Sequence, residues 1–195
     1  MFHVQLDGEL QLLIRKVRPS DRDHLLAGFA HLSERSRFFR FLGGVTRLSE
    51  ADLARFTAAS SDARCAFGAL DTGHDPPRPV AIARYERFDD DHRSAEMAVT
   101  VVDAYQGKGV GSLLIGTVAA CAVRAGIERF VAYVHPENTG MVHLIGALGG
   151  HLESAGEAEL LFDLPVHRDP ALYPDTASGG MVRRAYAAMV AAPSA

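Results

Sequence analysis

A glycine-rich segment in the middle of the chain constrains the fold more than any other feature. Residues 106–111 are Gln-Gly-Lys-Gly-Val-Gly, and they separate an apolar run that ends near Val102 from a helical repeat of apolar residues that begins at Val110. Glycines let the backbone approach a ligand closely with its N–H groups pointing at it, and a helix N-terminus adds partial positive charge. The order strand, glycine turn, helix therefore predicts a site for a phosphate or pyrophosphate.

The glycine spacing narrows the kind of phosphate site. A Walker loop needs GxxxxGK[ST], which is absent, and Gly107, Gly109 and Gly111 give GxGxG instead of the dinucleotide fingerprint GxGxxG. The strand and crossover helix of a Rossmann unit are also missing upstream. On spacing alone, the alternative is a glycine turn that only packs a helix on a sheet.

The remaining pattern predicts a mixed α/β protein. Three apolar runs with short turns between them, residues 64–70, 79–88 and 94–102, predict an antiparallel meander. The expected order is β-α-α-β-β-β-α-β-α-β, a mixed α/β sheet. We predict a first strand at 10–17 and a short tail helix at 181–191, which would dock on the protein itself.

Length and composition indicate one main domain. The chain has 195 residues, of which 48% are hydrophobic and 23% charged, as in ordinary globular proteins. We predict a domain over 1–166 and a C-terminal extension over 167–195, where prolines and glycines accumulate. The net charge of −4 argues against a nucleic-acid partner, because such domains are usually basic.

No membrane or export segment is expected. The N-terminus lacks a basic region followed by an apolar run, and the longest uncharged apolar stretch is too short for the roughly 20 residues that span a bilayer. The predicted location is the cytoplasm, where Cys65 and Cys121 would be reduced and buried. No metal is expected, since the histidines form no HxxxH or HExxH motif and Asp89–Asp91 suit a solvated turn.

The glycine segment resembles a specific family signature. Gln106-x-x-Gly109-x-Gly111 is similar to the (Arg/Gln)-x-x-Gly-x-(Gly/Ala) motif of the GNAT superfamily of N-acetyltransferases. The likeness includes Val101–Tyr105 before the motif and the helix from Asn138 to Leu148-Gly149-Gly150 after it, and it covers residues 10–166. It implies a GNAT-like α/β fold, in which a mixed, mostly antiparallel central sheet is flanked by helices and splayed at the strands that bind acyl-CoA.

The resemblance also implies a donor and the residues that hold it. Acetyl-CoA would be the acyl donor, with its pyrophosphate on the glycine loop and its pantetheine arm along the splayed strand and near the helix Asn. A helix N-cap is the plain alternative for that Asn. The implied binding residues are Val101, Val102, Gln106, Gly107, Lys108, Gly109, Val110, Gly111, Ser112 and Asn138.

Glu96 is the candidate catalytic residue. It lies ten residues before Gln106 on a predicted strand, among apolar neighbours. An ammonium cannot attack a thioester, so amine acylation needs a group that accepts a proton directly or through water. Glu96 also matches the general-base Glu of GNAT protein-lysine acetyltransferases; an outward surface Glu is the alternative.

One feature of the family is missing. Many relatives carry a Tyr seven residues after the helix Asn as general acid, and this position is Ile145 here. Tyr105 and Tyr133 are the alternative proton donors, and His135 and His143 are reserve candidates for a catalytic role.

The acceptor is left open between two amines. Residues 33–42 and 48–53 resemble a subgroup that includes protein-lysine acetyltransferases, which favours a protein lysine. A small-molecule amine is the alternative, and an acyl-CoA sensor without catalysis is a third hypothesis. Family members often form homodimers, but the sequence does not fix the oligomeric state.

Overall fold

One eight-stranded sheet forms the centre of the protein in the computed structural model, which describes residues 1–6 and 8–192. The strand order is β1-β2-β3-β4-β5-β6-β8-β7, and only β5 and β6 pair in parallel. This confirms the predicted mixed, mostly antiparallel sheet. The strands are β1 (Phe2–Leu6), β2 (Leu10–Lys16), β3 (Arg64–Asp71), β4 (Arg78–Arg87), β5 (Ser94–Val101), β6 (Arg129–Val134), β7 (His151–Ala155) and β8 (Leu160–Pro165).

Six helices flank this sheet, and most of them begin at a residue suited to capping. The side chains of Ser33, Ser49, Asn138 and Thr176 each accept a hydrogen bond from a backbone N–H in the first turn. None of the helices in the described residues is long and apolar enough to cross a membrane. The helices are α1 (Arg22–Ala30), α2 (Glu34–Phe41), α3 (Glu50–Phe56), α4 (Val110–Arg124), α5 (Thr139–Ala147) and α6 (Ala177–Ala191).

One face of the sheet is covered tightly by α4, which α6 covers in turn. Most of α4 is buried, and α6 approaches it so closely that a Cβ on Gly116 would lie 2.7 Å from Val182 Cα and 2.9 Å from Ala185 Cβ. The helix α6 starts at Ala177, earlier than predicted, because the Thr176 hydroxyl accepts from the Gly179 N–H. The tail after residue 166 thus packs on the core, while 193–195 of the predicted extension, and Asp7 of the predicted domain, lie outside the described residues.

The opposite face is covered loosely by α1, α2 and α3. Among the described residues of these three helices, Leu53 alone is fully buried. Arg15 on β2 ties α1 down through two hydrogen bonds of 2.6 and 2.8 Å to Asp21. A cavity of about 100 Å³ remains between these helices and the sheet.

The N-terminal strand was not predicted. Residues 2–6 alternate between exposed and buried positions, with Val4 and Leu6 inside, and pair with β2 in an antiparallel hairpin. Such a short alternating run is a weak signal until its partner strand is known.

The close contact at Gly116 generates a stability test. We expect Gly116→Ala to destabilise the protein by about 1–2 kcal/mol, since the new methyl group meets the α6 backbone and overpacking outweighs the gain in helix propensity. Gly146→Ala in α5 is the control, because its Cβ would meet no atom within 4 Å. That variant should stabilise by about 0.5–1 kcal/mol. Urea unfolding measures both, and equal effects at the two sites would contradict the close packing of α6.

Candidate active site

The sheet opens into a cleft between β5 and β6. The two strands pair only over Ser94–Glu96 and Arg129–Val131 and then diverge. The cleft has a volume of about 1160 Å³ and ends at the glycine-rich loop. The splay that the family resemblance implied is therefore present.

The glycine loop forms one end of the cleft. Gly107 and Gly109 adopt φ values of 72° and 79°, which side chains disfavour. Gly109 is the N-cap of α4 and has no side chain, so no capping side chain of its own occupies the first N–H groups of that helix. The helix begins at the cleft. The Gln106 side chain donates to the Val101 carbonyl at 3.0 Å and fastens the loop to the end of β5. Such a turn suits an anionic group.

The structure brings most, but not all, of the predicted donor-binding residues to the cleft. Lys108 points along the surface, with its Nζ 5.5 Å from the centre of the Tyr105 ring. Val110 is buried in the core, and the Val102 N–H already donates to the Val80 carbonyl at 2.8 Å. The predicted residues that do border the cleft are Val101, Gln106, Gly107, Gly109, Gly111, Ser112 and Asn138.

Glu96 occupies the last position of β5 that pairs with β6, on the floor of the cleft. Its side chain is 34% exposed, and its Oε1 lies 3.9 Å from Nη2 of Arg84. We expected an apolar setting from the neighbours in sequence, but the structure places a guanidinium beside the carboxylate. Arg84 comes from the adjacent strand β4, and this proximity depends on the strand register, which the sequence pattern did not reveal.

Several positive charges lie near Glu96 on the α1–α3 side of the sheet, and three of them also contact Glu86, its partner on β4. The Glu86 carboxylate accepts from Arg55 at 2.7 Å and from Arg84 at 3.2 Å, and Arg64 lies 4.0 Å from it. Arg40 from α2 lies near Glu96 and Arg84, and its pKa is lowered to about 10 by burial and then by repulsion from Arg84.

The candidates for a general acid differ in their surroundings. Ile145 is fully buried, so the position of the family Tyr lies in the core. The Tyr105 hydroxyl is occupied, since it donates to Asp71 at 2.8 Å. Tyr133 borders the cleft with 43% of its surface exposed.

The two histidines held in reserve are separated by the structure. His143 borders the cleft, with its Nδ1 2.7 Å from the Thr139 carbonyl. His135 instead packs against Phe38 and Phe39 of α2, with ring centres 5.0 and 5.4 Å away. Of the pair, His143 is the better placed to reach a substrate.

The first turn of α2 is fastened to the segment before the glycine loop by Asp103. Its carboxylate accepts from the Ser33 N–H at 2.9 Å and from the hydroxyls of Ser33 and Ser36 at 2.7 and 2.8 Å. Burial raises the pKa of the Asp103 carboxyl, but these hydrogen bonds outweigh it and hold the pKa below its usual value. Asp103 thus sets the distance between α2 and the donor end of the cleft.

The start of α6 contributes to the site, and the sequence did not reveal this. Ala177, Ser178 and Met181 at the start of α6 border the cleft, and a Cβ on Gly109 would lie 3.4 Å from Met181 Cγ. The amphipathic pattern predicted a docked tail helix but not where it docks.

The cysteines and one acidic cluster lie apart from this cleft. Cys65 and Cys121 are free thiols with their sulfurs 3.0 Å apart, and Cys121 is half-buried rather than buried. His151, Glu153 and Asp163 come together on β7 and β8, a grouping that spacing did not predict. Arg129 lies 3.1 Å from Asp163, so this cluster already contains its own counter-charge.

Comparison with protein families assigns the domain. Residues 11–151 match the sequence profile of the acetyltransferase (GNAT) domain. An acetyltransferase of Pseudomonas aeruginosa is 33% identical over 144 residues, which cover 74% of this chain and 77% of that protein.

Solved structures share the fold. The GNAT domain of PAT from S. lividans superposes with a TM-score of 0.77 at 28% identity, covering 84% of this chain and 96% of that domain. A spermidine N-acetyltransferase from Vibrio cholerae, solved with CoA and spermine, superposes with a TM-score of 0.60 at 18% identity over 80% of this chain and 95% of its own. At that identity the second likeness concerns the fold alone.

The Asp103 contacts predict a pH-dependent effect. Because the carboxylate is exposed, we expect Asp103→Asn to cost only about 0.5–1 kcal/mol of unfolding free energy at pH 7. The folded-state pKa is lowered, so this stabilisation is complete above the unfolded-state value and is lost as the pH falls through the folded one. The unfolding free energies of wild type and variant, measured with urea, should therefore converge as the pH falls below about 4. Asp90→Asn, in an exposed turn, is the control, and a pH-independent difference for Asp103→Asn would contradict the assignment.

Proposed function

Since this chain belongs to the GNAT family of acetyl-CoA-dependent N-acetyltransferases, we propose that it moves the acetyl group directly to a protein lysine and that Glu96 takes the proton from the amine. The observation that carries this proposal is the position of Glu96, partly exposed on the floor of an open cleft that leads to the glycine loop.

The donor is held by the glycine loop and the free edge of β5 in this proposal. Gly107, Gly109 and Gly111 leave room for a pyrophosphate near the start of α4, where Ser112 adds a hydroxyl. Asn138 borders the opposite wall, although its side-chain oxygen already accepts from the Met141 N–H at 3.2 Å. Beyond Glu96, the β5 backbone has no partner strand on the β6 side among the described residues, which suits an extended pantetheine arm.

The chemistry requires one proton acceptor and one proton donor. Glu96 accepts a proton from the ammonium, directly or through water, and the neutral amine forms the new C–N bond at the thioester carbonyl. The backbone N–H groups of β5 near Val101 face the oxygen that gains charge, and the C–S bond breaks to release the thiolate. As the amide forms, its nitrogen loses a second proton, which balances the proton that Tyr133, the cleft residue best placed for this role, gives to the thiolate. The thiols of Cys65 and Cys121 lie outside this path, so no acyl-enzyme is needed.

A protein acceptor is supported by the surface that borders the acceptor end of the cleft. The aromatic and basic helix α2 borders it, with Phe38 39% exposed. Residues 33–42, which span this helix and its two caps, are those that resemble the lysine acetyltransferase subgroup.

A small-molecule amine is the second candidate, favoured by one observation. The cavity beneath α1–α3 shares walls with the cleft at Arg40, Phe56 and Arg84, and it could enclose part of a compact acceptor. Spermidine is the acceptor named for the Vibrio cholerae neighbour, which provides one compound to test.

The donor site predicts a charge effect at Gly109. We expect Gly109→Glu to raise KM for acetyl-CoA at least tenfold more than Gly109→Ala does, because both variants share the positive-φ strain and the contact with Met181, while only the first brings a carboxylate to the pyrophosphate. S-acetylpantetheine, which lacks the phosphates, should distinguish the variants far less. A folded Gly109→Glu protein that binds CoA as tightly as Gly109→Ala would contradict the placement of the pyrophosphate at the glycine loop.

The catalytic proposal is tested at Glu96. We expect Glu96→Gln to lower kcat by about 10²–10⁴ near pH 7, the usual scale of general-base catalysis, with little change in KM for acetyl-CoA. The deficit should shrink at high pH, where more of the amine is already neutral. Glu128→Gln, at an exposed position before β6, is the control, and CoA release with lysine peptides and small amines is the assay. Normal turnover by Glu96→Gln would leave His143 as the next candidate base.

A further inference from the structure

The arginines on the acceptor side of Glu96 outnumber the carboxylates available to them. Arg55, Arg64 and Arg84 all share Glu86. Glu96 is the next carboxylate, 3.9 Å from Arg84. Asp52 is also nearby, but it is engaged by the N–H and hydroxyl of Ser49 in the cap of α3. The site therefore carries an excess of positive charge.

Arg40 and Arg84 both border the cleft and have unused hydrogen-bonding capacity. Arg84 is 8% exposed and its buried Nε has no partner, which is rare for a polar atom in a folded protein. Arg40 makes no ion pair with any residue that the structure describes. Both guanidinium groups lie against the Phe56 ring, with Cζ 5.6 and 5.0 Å from its centre, so two cations crowd one aromatic side chain.

We propose that the acceptor carries a carboxylate close to its amine, and that Arg40 and Arg84 bind this carboxylate. This inference rests on the proposed function and specifies its acceptor. Arg84 lies on the same face of the sheet as Glu96, because it pairs with Ala98, two residues further along β5. An amine at Glu96 therefore has its neighbouring atoms next to the two arginines, and guanidinium groups recognise carboxylates through directional paired hydrogen bonds.

The same charges select against other amines. A polyamine carries further positive charges, and this site already has more arginines than carboxylates. Like charges brought together at a binding site lower affinity. The carboxylate can come from two sources, an acidic residue beside the lysine of a protein or the carboxyl group of a free amino acid.

Matched pairs of acceptors test the proposal on the wild-type enzyme. The first arm uses one lysine peptide with Asp or Asn beside the lysine, and the second uses lysine with cadaverine and phenylalanine with phenethylamine, where each amine is the decarboxylated amino acid. CoA release gives kcat/KM, and calorimetry gives binding to the enzyme–CoA complex. We expect at least a tenfold preference for the carboxylate in one arm, as charge-assisted pairing allows. The arm that shows it identifies the source, and spermidine should be poorer than either preferred compound.

Variants of the two arginines test whether these residues cause the preference for a carboxylate. Arg40→Gln should reduce the preference to a few-fold, mainly through KM of the acceptor, while Arg40→Lys should keep part of it. Arg37→Gln is the control, since Arg37 lies on the same helix against the Phe29 ring but points away from the cleft. Melting temperatures confirm folding, and Arg84→Gln repeats the test from strand β4.

Two results would overturn the inference. One is a carboxylate preference below about threefold in both arms, by turnover and by binding, including the case in which neither member of a pair binds. The other is full preference retained by both folded variants, Arg40→Gln and Arg84→Gln. Glu96-dependent acetylation of neutral lysine peptides without preference would refute this inference and leave the proposed function intact, whereas transfer to amines that is insensitive to Glu96→Gln would refute the proposed function.

Discussion

The parting of β5 from β6 after three paired residues determines the rest of the site. Two neighbouring strands normally continue their ladder, since unpaired backbone groups in a sheet are costly unless something else satisfies them. Here the β5 edge is left free beside a cleft. The glycine loop follows the end of β5 after one short 3-10 turn, Asp103–Tyr105, and the start of α4 follows the loop, so both lie at the mouth of the same opening.

The two faces of the sheet differ in how tightly the helices pack against them. On one face, α4 is held between the sheet and α6, and Gly116 allows a backbone contact that no other residue would permit. On the other face, α1–α3 leave a cavity and are attached by polar contacts such as Arg15 to Asp21 and Ser33 to Asp103. A rigid donor side is thus combined with an acceptor side that has room and charge, where specificity can vary without disturbing the sheet.

Local patterns in the sequence predicted the parts of this site that are contiguous in the chain. The glycine loop, the helix that follows it and Glu96 on the preceding strand all follow from spacing and from the family resemblance. The arginines near Glu96 could not be predicted in the same way. Arg84 reaches Glu96 through the register of two strands, and Arg40 through the docking of α2, both of which depend on contacts distant in sequence. The N-terminal strand and the position of α6 were missed for the same reason.

The geometry of the opening gives Glu96 a further property. Two strands joined over a short stretch and separated beyond it form a wedge, and Glu96 with Val131 is its vertex. The gap between the strands is narrowest at the carboxylate and widens toward the glycine loop, so a ligand with a broad head and a slender arm fits with its arm pointing toward Glu96.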